Sequence, residues 1–319
     1  MFDIKEKRVK LRKVQTHEPK YIDETEMKVS ILSCPDMEQL KTYIPELVMA
    51  TWNEDIDKFN ESLTEDDRNR FLFRSLQGKF IPTAMRSMGI TFKIENMSWH
   101  DVSHLIRHGL FSFSADCSGD KIIEDRAVIL PQAVVESGCF DKYDTAIRLL
   151  EECYADIINA GGHIQDARLM LPRTMTTFYY VTGNLDYTLT FLRQRLDRQV
   201  QPKADNIMAM KLLLELCEKI PYLYFVINPN MQNNFYVKES TTNFASKWQK
   251  PLPQNEAALE GKEIDWLYPT SRDEMIGNSK FVEEYNKLLN EFENRKQQYL
   301  IDNPDMKNII DDCTTGDWK

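Results

Sequence analysis

"ARLMLPRTMTTFYYVTGNLDYTLTFLRQRLDRQVQ", from Ala167 to Gln201, is the stretch that decides how this chain is read. A Leu-Pro break comes first, then an aromatic run closing on Asn184, then apolar residues at helical spacing. The spacing predicts a helix from roughly Asn184 to Asp197, with Arg195 set among Phe191, Leu192 and Leu196, while Arg168 stands just before the Leu171-Pro172 break. One arginine on a helix face is ordinarily solvated. Several gathered at chain breaks around one cleft would make a clamp for phosphate and carbonyl oxygens, which the planar guanidinium suits.

Outward from this stretch the middle of the chain is mostly helical, with a few strands before it. "DKYDTAIRLLEECYADIINAGG" predicts an amphipathic helix with Ile147, Leu150, Tyr154 and Ile157 on one face, stopped by Gly161-Gly162. Another helix is predicted from about Ala204 to Ile220, where Pro221 ends it. "GITFKIEN" alternates Ile90, Phe92 and Ile94 as a half-buried strand does. Ser98, three residues before Asp101, then opens a helix that carries Val102, Leu105 and Ile106 inward and ends near Gly109. Further upstream "MKVSILSCPD" predicts a strand, and "MEQLKTYIPELVMATW" a helix that Pro45 should bend or divide. Residues 1–27 are charged and weakly patterned, so they read as an arm or an edge element rather than core. Beyond residue 225 the composition turns to Asn, Gln, Lys and Pro. That leaves a compact unit at 28–225 and an extension at 226–319, read as a surface wrap with one helix marked by Phe281, Tyr285, Leu288, Leu289 and Phe292.

A chain of 319 residues, 42% of them hydrophobic, can bury a sizeable core. Its 50 acids against 40 bases, a net charge of -10, argue against a coat for nucleic acid, so no direct nucleic-acid binding is expected. A small anion held by a few arginines remains compatible with that charge. No stretch approaches the roughly 18 consecutive apolar residues of a membrane span and no apolar segment follows the basic start, so a cytoplasmic protein without a membrane partner is expected. The six cysteines are scattered without a C-x-x-C pair, which indicates neither a zinc knuckle nor a disulfide framework.

His100, His104 and His108 fall at i, i+4 and i+8, a spacing that could bind a metal. Three ligands strung along one straight helix span too far to meet one ion, so no metal is expected. Cys117 lies in a polar segment near Arg107 and His108, where a thiolate would be stabilised, yet nothing local specifies the geometry of a nucleophile.

Together these segments resemble the flavin-dependent thymidylate synthases. That family's signature, R-H-R-x-x-S-x-N-E-x-S-x-R, is matched at its first, second and sixth positions by Arg107, His108 and Ser112. Its A-R-x-x-L-P is matched by Ala167, Arg168, Leu171 and Pro172, and its F-L-x-x-R-x-D-x-x-x-Q by Phe191, Leu192, Arg195, Asp197 and Gln201. The resemblance spans roughly residues 28–225. It implies an α+β fold of helices packed on a small, mainly antiparallel sheet, and a homotetramer gathering FAD, a pyrimidine deoxynucleotide monophosphate and a folate. The implied reaction carries a one-carbon unit from methylenetetrahydrofolate to C5 of dUMP or dCMP, as methyl or hydroxymethyl, with NADPH as reductant.

By position, Arg195 would contact the pyrimidine and favour its ionised form. His104, Arg107, Asp116, Arg168 and the Ser118-Gly119 turn would hold the nucleotide. Arg107, His108, Gly109, Asn184 and Thr190 would hold the flavin. The departures fall on these contacts. Gly109 replaces the signature's second arginine, Ser114 its asparagine, Ala115 or Asp116 its glutamate, and Asp120 its last arginine, with Lys121 beside it. His104 stands for a nucleotide-contacting glutamine and Asp186 for a flavin-contacting arginine. "KFIPTAMRSM" (79–88) stands where the family has H-x-S-P-x-E-H, without its histidines and glutamate. Either the substrate side has diverged, since a carboxylate at Asp116 could accept from a cytosine amino group, or the scaffold persists as a catalytically inactive nucleotide-binding or interaction protein.

Overall fold

The computed structural model describes residues 13–50, 52–116, 122–196, 203–229 and 277–315. The chain runs through β1 (Lys20–Asp23), β2 (Lys28–Ser33), α1 (Met37–Met49), α2 (Ile56–Ser62), α3 (Glu65–Leu76), α4 (Thr83–Arg86), β3 (Gly89–Ser98) and α5 (Trp99–Leu105). It continues through β4 (Ser112–Ala115), β5 (Ala127–Leu130), α6 (Gln132–Glu136), α7 (Phe140–Asn159), α8 (Ile164–Ala167) and a 3-10 turn at Arg168–Met170. After them come β6 (Thr176–Asn184), α9 (Leu185–Arg195), α10 (Lys203–Lys219), α11 (Leu223–Val226), α12 (Ser279–Asp302) and α13 (Met306–Thr315). The fold is α+β. Its four-stranded sheet, ordered β2-β3-β6-β4, is antiparallel throughout, and β1 and β5 form a separate parallel pair.

The sheet's buried face follows from alternation. Ile90, Phe92 and Ile94 point inward, and Val181, paired with both Phe92 and Phe113, meets them there. A bulge between Glu95 and Met97 then shifts the register by one, with Asn96 at φ 60° as the left-handed residue. The inward phase therefore changes from even to odd numbers, and Met97 is buried where strict alternation would expose it.

Helix α10 lies at the centre. Ile207, Met208, Met210, Leu212, Leu213, Leu216 and Cys217 are buried around most of it, because it packs on β2 below and on α12 above, and the stripe of Lys211, Glu215 and Glu218 is left polar. The segment set apart in the sequence as an extension thus helps build the core: Phe281, Tyr285, Leu288 and Phe292 of α12 join the same hydrophobic cluster as β3 and α10. Among the described residues two helices are present there rather than one, for Met306, Ile309 and Cys313 of α13 pack against α3. The other residues between 230 and 276 lie outside the described set.

Other expectations change for local reasons. Pro45 does not divide α1, which is continuous around it. A proline leaves the carbonyl four residues earlier without its helical donor, and Arg68 of α3 donates to that Lys41 carbonyl at 3.4 Å. Helix α5 ends at Leu105, before Gly109, and Ile106 is 51% exposed rather than inward. In the N-terminal stretch Val14 and Met27 are buried, and Asn159 pairs with the Val14 backbone through both ends of its amide (2.9 and 3.0 Å). Helix α7 closes as its glycines require: Gly161, at φ 92°, donates to the Ile158 carbonyl at 2.9 Å and Gly162 to that of Ile157 at 2.8 Å.

Candidate active site

Helix α9 starts at Asn184, whose side chain accepts from the Tyr187 backbone N–H at 2.8 Å as an N-cap. Leu185, Leu189, Phe191, Leu192 and Leu196 are fully buried, and they carry Arg195 inward with them. A guanidinium in such a place needs partners for its charge and its donors. Arg195 donates from Nη1 to Asp205 Oδ2 at 2.7 Å, from Nη2 to the His104 carbonyl at 2.9 Å, and from Nε to His108 Nε2 at 2.9 Å. Burial pushes its pKa down, and the Asp205 carboxylate opposes that shift. Asn206 donates to the Arg195 carbonyl at 2.7 Å and so occupies the end of α9.

His108 is neutral here. Burial first and Arg195 second lower its pKa to about 3. Because Arg195 has only donors to offer, Nε2 of His108 must be the acceptor and the ring proton sits on Nδ1, which lies 3.4 Å from the Tyr187 hydroxyl. Phe191 meets the imidazole edge to face with centroids 4.7 Å apart, and Phe111 packs against both Tyr187 and Phe191. Gly183 makes this possible, for a Cβ there would stand 2.3 Å from the Phe111 ring.

His104 contributes more than its carbonyl. Its Nδ1 is buried without a hydrogen-bond partner, 3.7 Å from Asp205 Oδ2. Burial and then the Arg195 charge hold this imidazole below its ordinary pKa. Since α5 stops at Leu105, His108 leaves the face that His100 and His104 share, and it turns to Arg195. Arg107 is exposed beside this group, close enough that its charge acts on both Arg195 and His104. Gly109 is exposed too, and a Cβ there would meet nothing within 4 Å.

The remaining candidates sit elsewhere. Asp116 is drawn into an ion pair with Arg126, which also donates to the Thr176 carbonyl at 3.2 Å. Arg168 opens the 3-10 turn beside the second hydrophobic cluster, that of Tyr154, Ala167, Leu171 and Met175. Thr190 donates to the Asp186 carbonyl at 3.1 Å, and Asp186 itself pairs with Arg86 Nε at 2.9 Å. Lys79, upstream in the same segment as Arg86, donates to the Cys313 carbonyl of α13. Ser118, Gly119, Cys117, Lys121, Asp197 and Gln201 lie outside the described residues. A cavity of about 190 Å³ opens between the N-terminal segment and the second cluster, lined by residues such as His17, Arg126, Tyr154 and Met175, apart from the Arg195 group.

Sequence reasoning missed Asp205, Tyr187, Arg126 and Arg86. Asp205 carried a usable signal: an acid in the first turn of a strongly apolar helix, shortly after a candidate arginine.

The architecture is shared with a solved protein, the UMP/dUMP methylase PolB from Streptomyces cacaoi bound with 5-Br dUMP. The two align with a TM-score of 0.54 at 15% identity over 64% of this chain and 94% of that one. In sequence, the profile of the family described as thymidylate synthase complementing protein matches residues 31–222, and the chain belongs to that family of enzymes. Among its relatives, the flavin-dependent thymidylate synthase of Pyrococcus furiosus is 25% identical over 185 residues, 56% of this chain and 75% of that protein. The one of Thermococcus onnurineus is 27% identical over 184 residues, with 56% and 74% covered.

Proposed function

We propose that this protein transfers a one-carbon group, as methyl, to C5 of dUMP, with FAD as cofactor, methylenetetrahydrofolate as carbon donor and NADPH as reductant. The observation that carries the reading is Arg195: a cation fixed in one orientation by His108, Asp205 and the His104 carbonyl, at the position matching the family's arginine. Such a preorganised charge favours the ionised form of a pyrimidine ring and loses nothing to reorganisation when that charge develops. Bound FAD would supply the hydride that completes the methyl group.

The donor set is compatible with these ligands. His104 Nδ1 has an unused hydrogen-bonding capacity, Arg107 offers an exposed cation, and the open space at Gly109 leaves room for a planar group. In this reading His104, Arg107, Asp116, Arg168, Ser118, Gly119 and Arg195 serve the nucleotide, and Arg107, His108, Gly109, Asn184 and Thr190 the flavin. Arg168 stands beside the second cluster, and the reading places it at a site that a homotetramer would complete from neighbouring copies. The three-part division at 27 and 225 stays with this proposal as a division of labour, the family's part carrying the site.

The test is the visible spectrum of the purified protein supplied with FAD, recorded again with dUMP and with dCMP. Flavin bands perturbed by dUMP more than by dCMP are expected. A protein that takes up no FAD overturns the reading and leaves an interaction or nucleotide-binding protein on this scaffold.

A further inference from the structure

We propose that Arg86 is a phosphate-binding residue of this site, presenting its two terminal amino groups to the diphosphate of the flavin cofactor at the junction of α4 and α9. The inference rests on the flavoenzyme reading given above. Arg86 uses only Nε in its pair with Asp186, at 2.9 Å, and its side chain is 57% exposed. The outer edge of the guanidinium, Nη1 and Nη2, makes no hydrogen bond to a described residue, and that edge is the fork that matches two phosphate oxygens. An exposed pair of this kind adds little to stability, so the fold gives scant reason for it.

The junction is also rigid and positively biased. Ala84 and Met85 bury the inner side of α4, and the Leu185 N–H at the start of α9 donates to the Met88 carbonyl at 2.8 Å. Asp186 faces a second cation as well, for its charge acts on Arg193, which donates to the Leu76 carbonyl at 3.1 Å. The charges of two arginines thus act on one carboxylate, Arg86 in contact and Arg193 from further off, and an anion on the outer edge of Arg86 would balance the excess. The signs across this junction are exchanged relative to the resemblance: an acid on α9 where it implies an arginine, and an arginine on α4 in a segment that lacks its glutamate. Arg86 thereby restores the cation from the opposite element.

A phosphate could also belong to the nucleotide, and the experiment separates the two. The full chain, its Arg86→Ala and Arg86→Lys variants, and Asp186→Asn are titrated with FAD by flavin fluorescence and with dUMP by calorimetry, circular dichroism serving as the fold control. Arg86→Ala should weaken FAD at least about tenfold, the loss of a charged hydrogen bond. Arg86→Lys should recover part of that affinity, because a point charge cannot fork. The Kd for dUMP should stay within about twofold. An unchanged FAD Kd in a folded Arg86→Ala variant, or a loss confined to dUMP, overturns the assignment while the flavoenzyme reading stands. Failure of the unaltered chain to bind FAD removes both.

Discussion

Neutralising Asp205 should be expensive. Its side chain is 1% exposed and that of Arg195 9%, with Nη1 and Oδ2 2.7 Å apart. At an effective dielectric of about 20, charges roughly 4 Å apart attract by about 4 kcal/mol. Removing one member of a buried pair, which leaves the other charge uncompensated, costs about 3–5 kcal/mol. Asp205→Asn keeps the shape and can still accept from Nη1, so the cost belongs to the lost charge and should lie near the lower end, about 3 kcal/mol. Urea unfolding of the full chain at pH 7 reads it as a lower midpoint with an unchanged slope. Arg195→Met should cost as much or more, since it takes the guanidinium away from the buried Asp205 carboxylate. The double variant Arg195→Met/Asp205→Leu, which removes both charges, should be more stable than either single one. Two single effects that simply add, or an Asp205→Asn cost below about 1 kcal/mol, would refute the claim that the pair is coupled and dry.

The pH dependence follows from His108. Its folded pKa, lowered to about 3 from the ordinary 6.5, means that the unfolded chain binds the proton between those values and the folded one does not. Its contribution is therefore fully present above about pH 6.5 and falls as the pH drops, by about 2 kcal/mol at pH 5. Urea midpoints at the two pH values, compared with those of His108→Gln, check it, since the variant should lose this part of the slope. Gly183→Ala forces a methyl group to within 2.3 Å of the Phe111 ring and should cost about 1–3 kcal/mol in the same assay. Phe292→Ala empties a fully buried site of α12 against α10 and should cost about 3–5 kcal/mol. A change below about 1 kcal/mol there would mean that α12 is not part of the core.

Periodicity made much of this molecule legible. The alternation of Ile90, Phe92 and Ile94 and the helical spacing around Arg195 need only their own neighbours to be read, and the structure buries all of those residues. The misses have a common origin: a local pattern shows which face is apolar but not what lies against it. Phe281, Tyr285, Leu288 and Phe292 announced a helix, yet nothing in them says that α10, apolar over most of its circumference, awaits that helix. Pro45 reads as a break until Arg68 arrives from another helix to take the freed carbonyl. His108 reads as a third histidine on one face, although the helix has ended two residues before Arg107, and the following turn aims the ring at Arg195 instead.

The same limit explains why Asp205 and Arg86 were missed while Arg195 was not. Arg195 could be found because it lies in a continuous motif, whereas Asp205 and Arg86 reach α9 from α10 and α4. Helix α9 therefore acts as a ruler with a charge pair near each end. Asp186 and Arg195 are separated along it by about 14 Å at about 1.5 Å of rise per residue. A pyrimidine held at Arg195 and a phosphate held at Arg86 would thus be fixed relative to each other by one rigid element, whose register is set by the Asn184 cap and the Asn206 contact at its two ends. Replacing the pair at one end should leave binding at the other intact. That independence is what makes the two halves of the site separable by titration.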